Sequence, residues 1–324
     1  MEKSLKEEEV SMGNDKLTKM EKYWILYDVG NSAFTLLVST IIPIYFNALA
    51  GNAGISEVDY LAYWGYAASI STVIVAILGP TMGTVADTRN YKKPLFVFFM
   101  MIGVIGCAAL SVPTSWIVFL VVFVIAKVGY NASLIFYDSM LVDVTTPERM
   151  DKVSSHGYAW GYIGSCIPFI ISLVFVLMYE SIGITMNTAM MLAFLINAAW
   201  WVLMTLPLLK NYRQKNFAAP PEHPIKDSFI RLGHTLRDIK KEKKIFLYLL
   251  AFFFFIDGVY TIIEMATAYG SALGLDTTGL LLALLVTQIV AFPCALIFSR
   301  FSKRYETTKQ IGRASCRERV YRLV

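Results

Sequence analysis

Eight apolar blocks in series constrain the fold of this chain more than any other feature of its sequence. Each block is close to the roughly 20 residues that a helix needs to cross the hydrocarbon core of a bilayer. One such block could be a buried helix of a soluble protein, but eight in succession are typical of a helical protein that crosses a membrane repeatedly. The sequence therefore predicts an all-α polytopic membrane protein. The blocks cover residues 23–49, 61–85, 94–112, 116–141, 156–179, 188–209, 245–268 and 277–298.

Residues that carry chemistry are sparse, which excludes several functional classes. Charged residues make up 16% of the chain, whereas soluble domains carry about 25%. The three histidines are scattered, and Cys107, Cys166 and Cys294 lie inside apolar blocks without the paired spacing of metal ligands. Neither a nucleophile motif nor a phosphate-binding glycine-rich loop is present. We therefore expect no cofactor, no metal, no enzymatic activity and no ATP-driven pumping.

Lysine and arginine residues are confined to alternate loops, which predicts the orientation. They occur before block 1 and after blocks 2, 4, 6 and 8, and none occurs in the loops after blocks 1, 3, 5 and 7. Because basic loops stay in the cytoplasm, the N-terminus is predicted to be cytoplasmic. The leader lacks a small-residue cleavage pattern, so we do not expect a removable signal peptide. The net charge of +5 then reflects topology, and nucleic acid is not an expected partner. The predicted location is a plasma membrane, such as the bacterial inner membrane.

A polar linker separates six apolar blocks from the last two. Within it, Phe229, Leu232, Leu236 and Ile239 recur at helical spacing among basic residues, which predicts an amphipathic helix. Such a helix either binds anionic lipid headgroups or forms a solvated connector, and the sequence leaves both open. The predicted divisions are a leader (1–22), a six-helix bundle (23–209), the linker (210–244), a partial second bundle (245–310) and a tail (311–324).

Ionisable residues lie inside only three of the eight blocks. Asp28 is in block 1, Lys127 and Asp138 are in block 4, and Asp257 and Glu264 are in block 7. A charged side chain at the bilayer centre costs about 2.5–3.5 kcal/mol on insertion scales and commonly marks a functional site. The first, fourth and seventh spans are therefore predicted to share a water-accessible interior.

The depth of each charged residue suggests a different role. Lys127 and Asp257 lie near the middle of their blocks, where we expect them to face each other across a cavity. Asp28 and Asp138 lie nearer the predicted cytoplasmic side, and Glu264 lies toward the outer side. The alternative is an ion pair that only holds the helices together.

Uncharged polar, aromatic and small residues complete the set of candidates. Asn31 and Asn131 either bind a solute or bridge helices. The aromatic residues either line a ligand path or face lipid and neighbouring helices; they are Tyr130, Tyr158, Trp160, Tyr162 and Tyr260. The glycines of blocks 2 and 5 predict small-residue faces for close helix packing; they are Gly79, Gly83, Gly157, Gly161 and Gly164.

Four segments carry a resemblance to a known family. Together they indicate the major facilitator superfamily, and within it the chain resembles the autophagy-related vacuole effluxer-like permeases over about residues 23–310. The segments are "YDVGNSAFTLLVSTIIPIYF" (27–46), "GTVADTRNYKKP" (83–94), "FYDSMLVDVTTPERMDKVSSHGYAWGYIGS" (136–165) and "FFFIDGVYTIIEMATAYGSALGL" (253–275).

The resemblance implies a transporter fold and a transport mechanism. The superfamily has two six-helix halves, and its helices 1, 4, 7 and 10 line a central cavity. The implied function is secondary active transport of a small polar solute by alternating access. The solute would be amino-acid-like, since the fungal relatives are implicated in exporting amino acids from the vacuole. Protonation of Asp257 or Glu264 would couple transport to a proton gradient. The implied partners are the solute, protons and membrane lipids, and the full-length protein would be a monomer.

The second segment corresponds to the superfamily's motif in the loop between helices 2 and 3. The resemblance implies that its acid and bases form a gating latch at the cytoplasmic mouth, which closes in the outward-facing state. A degenerate second copy, "SRFSKRYETTK" (299–309), lacks the glycine and the acid, so a symmetric latch is not expected. The candidate latch residues, with two from the next basic loop, are Gly83, Asp87, Arg89, Lys92, Lys93, Glu148 and Arg149.

The end of the chain departs from the family pattern. After Gln310, the segment "IGRASCRERVYRLV" is basic and polar where a ninth apolar block would begin, and it resembles a translated adapter sequence. We therefore expect 311–324 to be non-native, and the chain to be a transporter fragment that is inactive alone. The alternative function is that of a membrane sensor or scaffold with a transporter-derived fold, whose linker recruits partners.

Overall fold

The computed structural model describes residues 16–112, 115–218 and 224–302, and these ranges are almost entirely helical. Within them no strand forms, and β-pairing is limited to an isolated bridge between Thr88 and Ala218. The predicted tail 311–324 lies outside the described residues. The helices are α1 (Lys19–Ser39), α2 (Ile41–Asn52), α3 (Glu57–Ala86), α4 (Lys92–Ala109), α5 (Trp116–Val144), a 3-10 turn (Pro147–Arg149), α6 (Met150–Ile182), α7 (Met186–Asn211), α8 (Pro224–Lys241), α9 (Lys243–Ala272) and α10 (Thr277–Ser302).

The described chain contains eight helical segments that are long and apolar enough to cross a membrane, which confirms the predicted number. The first span is made of α1 and α2 together, and each of α3, α4, α5, α6, α7, α9 and α10 contributes one further span. The remaining helix, α8, is the amphipathic helix predicted in the linker.

The first span is broken at Thr40 because a proline follows one turn later. Pro43 has no N–H, so the Ser39 carbonyl loses its usual donor four residues ahead. Thr40 leaves the helical conformation, with φ −131° and ψ −84°. The Thr267 hydroxyl of α9 donates a hydrogen bond to the Ser39 carbonyl instead. A residue of the seventh span thus satisfies a backbone group of the first.

Hydrogen bonds and ion pairs define the two ends of the bundle. At one end, Arg149 binds Glu21 and Lys92 binds Asp143, which joins α1 to the 3-10 turn and α4 to α5. We call this the basic end, and it carries the loops predicted to be cytoplasmic. At the opposite end, the Asn47 amide of α2 donates to the Ser271 hydroxyl of α9 at 3.3 Å.

The α1 and α6 helices pack closely because glycines line the contact. A Cβ on Gly157 would lie 2.6 Å from the Asp28 Oδ2 atom, and one on Gly164 would lie 2.5 Å from Val29 Cγ1. Gly161 is equally tight, since its Cβ would lie 2.7 Å from a serine hydroxyl of α1. The predicted small-residue face of block 5 is therefore confirmed, and it sets the position of Asp28. The prediction is wrong for Gly83 of block 2, where an added Cβ would meet nothing within 4 Å.

An aromatic contact holds α1 against α5. Trp24 stacks on Tyr137 with ring centroids 4.3 Å apart. The Trp24 indole N–H donates to the Tyr137 carbonyl at 3.1 Å, and the Tyr137 hydroxyl donates back to the Trp24 carbonyl at 3.2 Å. Tyr27 adds a hydroxyl contact of 2.7 Å with Ser133. These bonds fix the register of α1 against α5 beside Asp28.

The two helices that follow the linker pack on different parts of the six-span bundle. The α9 helix contacts α1, α2 and α3, whereas α10 lies along α6. The buried residues of α9 in the described chain are Thr267, Ala268 and Gly270, all within its last two turns. The α9 helix is therefore packed most closely against the first six spans at the end opposite the basic end.

The amphipathic helix α8 is docked on α3. The Ser228 hydroxyl, on a residue only 4% exposed, donates to the Thr84 hydroxyl at 2.7 Å. Phe229, Ile230 and Leu232 remain exposed. The linker is therefore anchored to the first six spans at this point, and it presents apolar side chains outward.

Candidate functional site

Two carboxylates from different spans lie together beside the glycine contact. Asp28 of α1 is half-buried, and its carboxylate occupies the space left by Gly157 of α6. Asp138 of α5 is exposed and lies near enough for the charges of the two carboxylates to interact. The two acids that the sequence predicted near the same mouth are therefore within electrostatic reach of each other.

Four tyrosines from three helices lie within electrostatic reach of Asp28 or of one another. Tyr130 is on α5, Tyr158 and Tyr162 are one turn apart on α6, and Tyr260 is on α9. Their hydroxyls interact electrostatically with Asp28 or with one another. We call Asp28, Asp138 and these tyrosines the tyrosine–aspartate cluster. The ring of Trp160 packs edge-on against Phe292 of α10, with the ring centroids 5.7 Å apart.

The two candidate asparagines differ in their surroundings. Asn31, one turn from Asp28, is 2% exposed, and its Nδ2 atom makes no well-aligned hydrogen bond within the described chain. Its side chain nevertheless lies near enough to interact with the Asp28 carboxylate. Asn131 is half-buried, and no hydrogen bond between described residues connects it to the cluster.

A cavity of about 370 Å³ opens between α6 and α10. Tyr158 and Tyr162 of the cluster line it, together with Asp151, Ser155 and Phe298. Because Asp151 lies in the first turn of α6, the cavity reaches the basic end of the bundle. The cluster is therefore next to a space that could admit a small molecule.

Lys127 pairs with Glu264, and the expectation that it would face Asp257 is wrong. The Lys127 Nζ atom lies 2.6 Å from Glu264 Oε2, in a charge contact rather than a well-aligned hydrogen bond. The Trp64 indole N–H donates to the Glu264 carbonyl at 3.1 Å and holds this turn of α9 against α3. Asp257 lies two helical turns nearer the basic end, where α9 is less closely packed, and it is exposed.

Two candidate latch residues bind acids within the first six spans. Lys92 is 2% exposed, and its Nζ atom lies 3.5 Å from Asp143 Oδ2. The Arg149 Nε and Nη2 atoms each donate to one oxygen of Glu21 at 2.8 Å. These pairs hold the first six spans together, and they do not join those spans to α9 or α10.

The other latch candidates lie at the surface of the basic end. Asp87 is exposed where α3 ends, and Arg89 lies over the Phe217 ring at 5.3 Å from its centroid. At Gly83, an added Cβ would meet nothing within 4 Å. No ion pair between described residues involves the charged members of this group, which are Asp87, Arg89, Lys93 and Glu148.

Asp143 binds the segment that follows α7, residues 212–218, which we call the strap. The Tyr212 hydroxyl donates to Oδ2 at 2.5 Å, while the backbone N–H groups of Lys215 and Asn216 donate to Oδ1 at 3.1 and 2.8 Å. Burial and the bond to Asp143 raise the pKa of the Tyr212 hydroxyl well above its usual range. The strap also contacts α3, since the Ala218 N–H donates to the Asp87 carbonyl at 2.8 Å.

The sequence analysis missed Asp143 and Glu21. Each lies at the end of an apolar helix, where an acid is normally solvated. Glu21 is nevertheless 1% exposed and Asp143 is 3% exposed. The available signal was their position beside the basic motif loops, because an acid there has a cation within reach.

Comparison with known proteins identifies the family. Residues 18–146 and 142–316 match the family model described as "Vacuole effluxer Atg22 like". The "Uncharacterized MFS-type transporter YxiO" of Bacillus subtilis (strain 168) is 42% identical over 295 residues, which cover 90% of this chain and 69% of that protein. The "Autophagy-related protein 22" of Coccidioides immitis (strain RS) is 22% identical over 327 residues, which cover 78% of this chain and 53% of that protein. The chain thus spans about two thirds of one relative and half of the other. It belongs to the vacuole effluxer Atg22-like family of major facilitator transporters.

Proposed function

We propose that the complete protein is a secondary active transporter that moves a small polar, amino-acid-like solute by alternating access, coupled to protons. The observation that carries this proposal is the ion pair between Lys127 and Glu264. It joins α5 of the first six spans to α9 within the spanning region. The carboxylates of Asp28 and Asp138 lie outside this pair and remain available to a solute.

The contacts of α9 support alternating access. Glu264 binds Lys127, Thr267 donates to the Ser39 carbonyl, and Ser271 accepts from Asn47. The three α9 residues recur at helical spacing and lie in its last three turns. Opening a path at this end would require all three contacts to break together, while closure would re-form them.

Glu264 is the better candidate for the proton-coupling group. Its side chain is 27% exposed, so a proton can reach it, whereas the Lys127 side chain is only 4% exposed. Protonation would remove the charge that attracts Lys127 and weaken the closed arrangement. Asp257 lacks a basic partner within the described chain, which makes it the weaker of the two carboxylates predicted for this role.

The test is solute flux in proteoliposomes. The chain is completed with the part of the Bacillus relative that the alignment leaves uncovered, and uptake of a labelled amino-acid mixture is driven by a pH gradient. We expect the completed protein to take up label and the Glu264→Gln variant to lose dependence on the gradient. The chain alone is expected to show no flux. A Lys127→Met/Glu264→Gln double variant removes both charges and controls for an unpaired buried lysine.

The sensor or scaffold alternative is tested with the same preparation. Substituting serine for Phe229, Ile230 and Leu232 removes the exposed apolar side chains of α8. A transporter should retain most of its flux in this variant. Absence of gradient-driven flux from a folded, completed protein would contradict the transport proposal. Loss of partner binding in the α8 variant alone would favour the scaffold.

A further inference from the structure

The amphipathic helix α8 is held near both of its ends at the level where spanning helices begin or end. Near its start, the buried Ser228 donates to the Thr84 hydroxyl in the last turn of α3. At its other end, Lys241 is separated from the first residue of α9 by Glu242 alone. The helix contacts both α3 and α9. A helix fixed in this way runs along the membrane surface and does not project away from it.

The side chains of α8 follow a fixed order around its circumference. With 3.6 residues per turn, successive side chains leave the helix about 100° apart. Measured from the Ser228 contact, Leu232 lies at about 40° and Phe229 at about 100°, and we call these two residues the apolar strip. Three bases follow at about 120° to 180° and form the basic strip; they are Lys240, Lys226 and Arg237. The apolar strip therefore lies between the docked face and the basic strip.

The described part of the chain leaves both strips uncovered. Phe229 is 45% exposed and Leu232 is 40% exposed, although α8 is docked on α3. All three residues of the basic strip are exposed, and none of them forms an ion pair with another described residue. Lys241 differs, because its Nζ atom lies 2.6 Å from Asp238 Oδ1. The basic strip is thus available to an anionic partner.

The charge and position of this segment favour an anionic lipid surface as that partner. Residues 224–244 contain seven lysines or arginines and three acids. Anionic lipids give the cytoplasmic leaflet a negative surface potential that attracts basic side chains close to the membrane. In an interfacial helix the apolar side chains enter the boundary between headgroups and acyl chains, and neighbouring lysine and arginine side chains reach the phosphates. The order of the two strips matches that arrangement.

We propose that α8 binds anionic phospholipids, with the apolar strip inserted at the membrane surface and the basic strip on the headgroup phosphates. Of the two roles that the sequence leaves open, this selects the lipid-binding helix over the solvated connector. The linker is then held by α3 on one face and by lipid on the next. The proposal does not depend on the transported solute, and it stands even if the completed protein transports none.

The test is hydrogen–deuterium exchange of the 324-residue chain in nanodiscs, measured by mass spectrometry on peptides of α8. One nanodisc contains phosphatidylcholine alone, and the other contains about one third phosphatidylglycerol. We expect the α8 amides to exchange at least about tenfold more slowly in the anionic nanodisc. Salt at about 1 M should remove most of that difference, because it shortens the screening length to about 3 Å. Peptides from the spanning helices report whether the fold is intact.

Glutamine variants test the basic strip. Replacing all three of its residues with glutamine should abolish the difference between the two nanodiscs. The matched control removes the same charge from exposed lysines before the first span, in the Lys16→Gln/Lys19→Gln/Lys22→Gln variant. This control should retain the slower exchange of α8 in the anionic nanodisc.

Serine variants test the apolar strip. Phe229→Ser/Leu232→Ser should speed the exchange of α8 in the anionic nanodisc by at least about threefold, because the inserted side chains are lost. Ile230→Ser is the control, since Ile230 is 46% exposed and lies beyond the basic strip at about 200° from the Ser228 contact. It should leave the exchange unchanged.

Equal exchange of α8 in the two nanodiscs would overturn the proposal and identify α8 as a solvated connector. A loss of the lipid effect in the lysine control as large as in the basic-strip variant would also overturn it, because the effect would then follow net charge alone. The salt comparison uses the unmodified chain, so the electrostatic part is tested even if a variant fails to fold. Gradient-driven flux is measured separately, and its absence would leave the lipid site standing.

Discussion

Asp28 and Gly157 show how one glycine decides the place of a charged residue. The carboxylate lies where a Cβ of residue 157 would have been, so the acid can approach the α1–α6 contact without separating the helices. At Gly65 on α3 an added Cβ would meet nothing within 4 Å. The two positions are therefore matched in residue type and opposite in packing.

Replacing these glycines with alanine should have opposite effects on stability. Gly157→Ala should lower the melting temperature in detergent, because the new methyl group would force Asp28 or the α1 backbone to move. Gly65→Ala should raise it slightly, since alanine is favoured over glycine in an exposed helix by about 0.5–1 kcal/mol. Both are measured by thermal denaturation monitored through tryptophan fluorescence. Equal melting temperatures for the two variants would contradict the proposed contact.

At the residue scale, sequence reasoning selected most of the charged groups but not their partners. Asp28 and Asp138 were expected near one mouth and do lie together. Lys127 was expected to face Asp257 and binds Glu264. The depth of a residue along its helix can be counted from sequence. The closeness of two helices at that depth depends on long-range packing, which residue counting does not provide.

The strap is the element whose role was least visible in the sequence. The sequence predicts that residues 212–218 begin a polar linker, yet they lie across the ends of α3, α4 and α5. Asp143 accepts from the strap, and the Gln214 side chain donates to the Ala86 carbonyl at 3.2 Å. The apolar pattern identified the eight candidate spanning helices of the described residues, but hydrogen bonding by a polar loop leaves no such periodic signal.

Removing the Tyr212 hydroxyl should loosen the strap. Tyr212→Phe loses the 2.5 Å bond to Asp143, and a bond to a charged group contributes about 1.5–3 kcal/mol. We expect faster trypsin cleavage after Arg213 and Lys215, followed by mass spectrometry. Tyr248→Phe is the matched control, because Tyr248 is 54% exposed. Unchanged cleavage after both residues would count against the anchoring role of Tyr212.

For the whole molecule, we expect stability to depend on the Thr267 hydroxyl, because it joins the seventh span to the broken first span. Thr267→Val keeps the shape and removes the donor, which leaves the Ser39 carbonyl without a partner. An unsatisfied buried polar group costs about 1–3 kcal/mol, so the melting temperature should fall. Thr267→Ser keeps the hydroxyl and should lower the melting temperature much less. A valine variant as stable as the serine variant would show that the contact contributes little.

The overall architecture was the most predictable level. Long apolar blocks and alternating basic loops are repeated many times along the chain, so an error in one block changes little. The break at Thr40 was not predicted, because the proline that causes it lies within an otherwise continuous apolar run. Its consequence depends on Thr267, which is more than two hundred residues away in the sequence.

The docking of α8 on α3 fixes the point from which the seventh span starts. Ser228 anchors α8 to α3, and the backbone leaves the helical conformation at Glu242, which makes Glu242 the pivot between α8 and α9. The α9 helix then acts as a lever arm, with Glu264 about 33 Å from the pivot. A rotation of about 10° would displace that carboxylate by roughly 6 Å. A small hinge motion near the basic end would therefore be enough to separate Glu264 from Lys127.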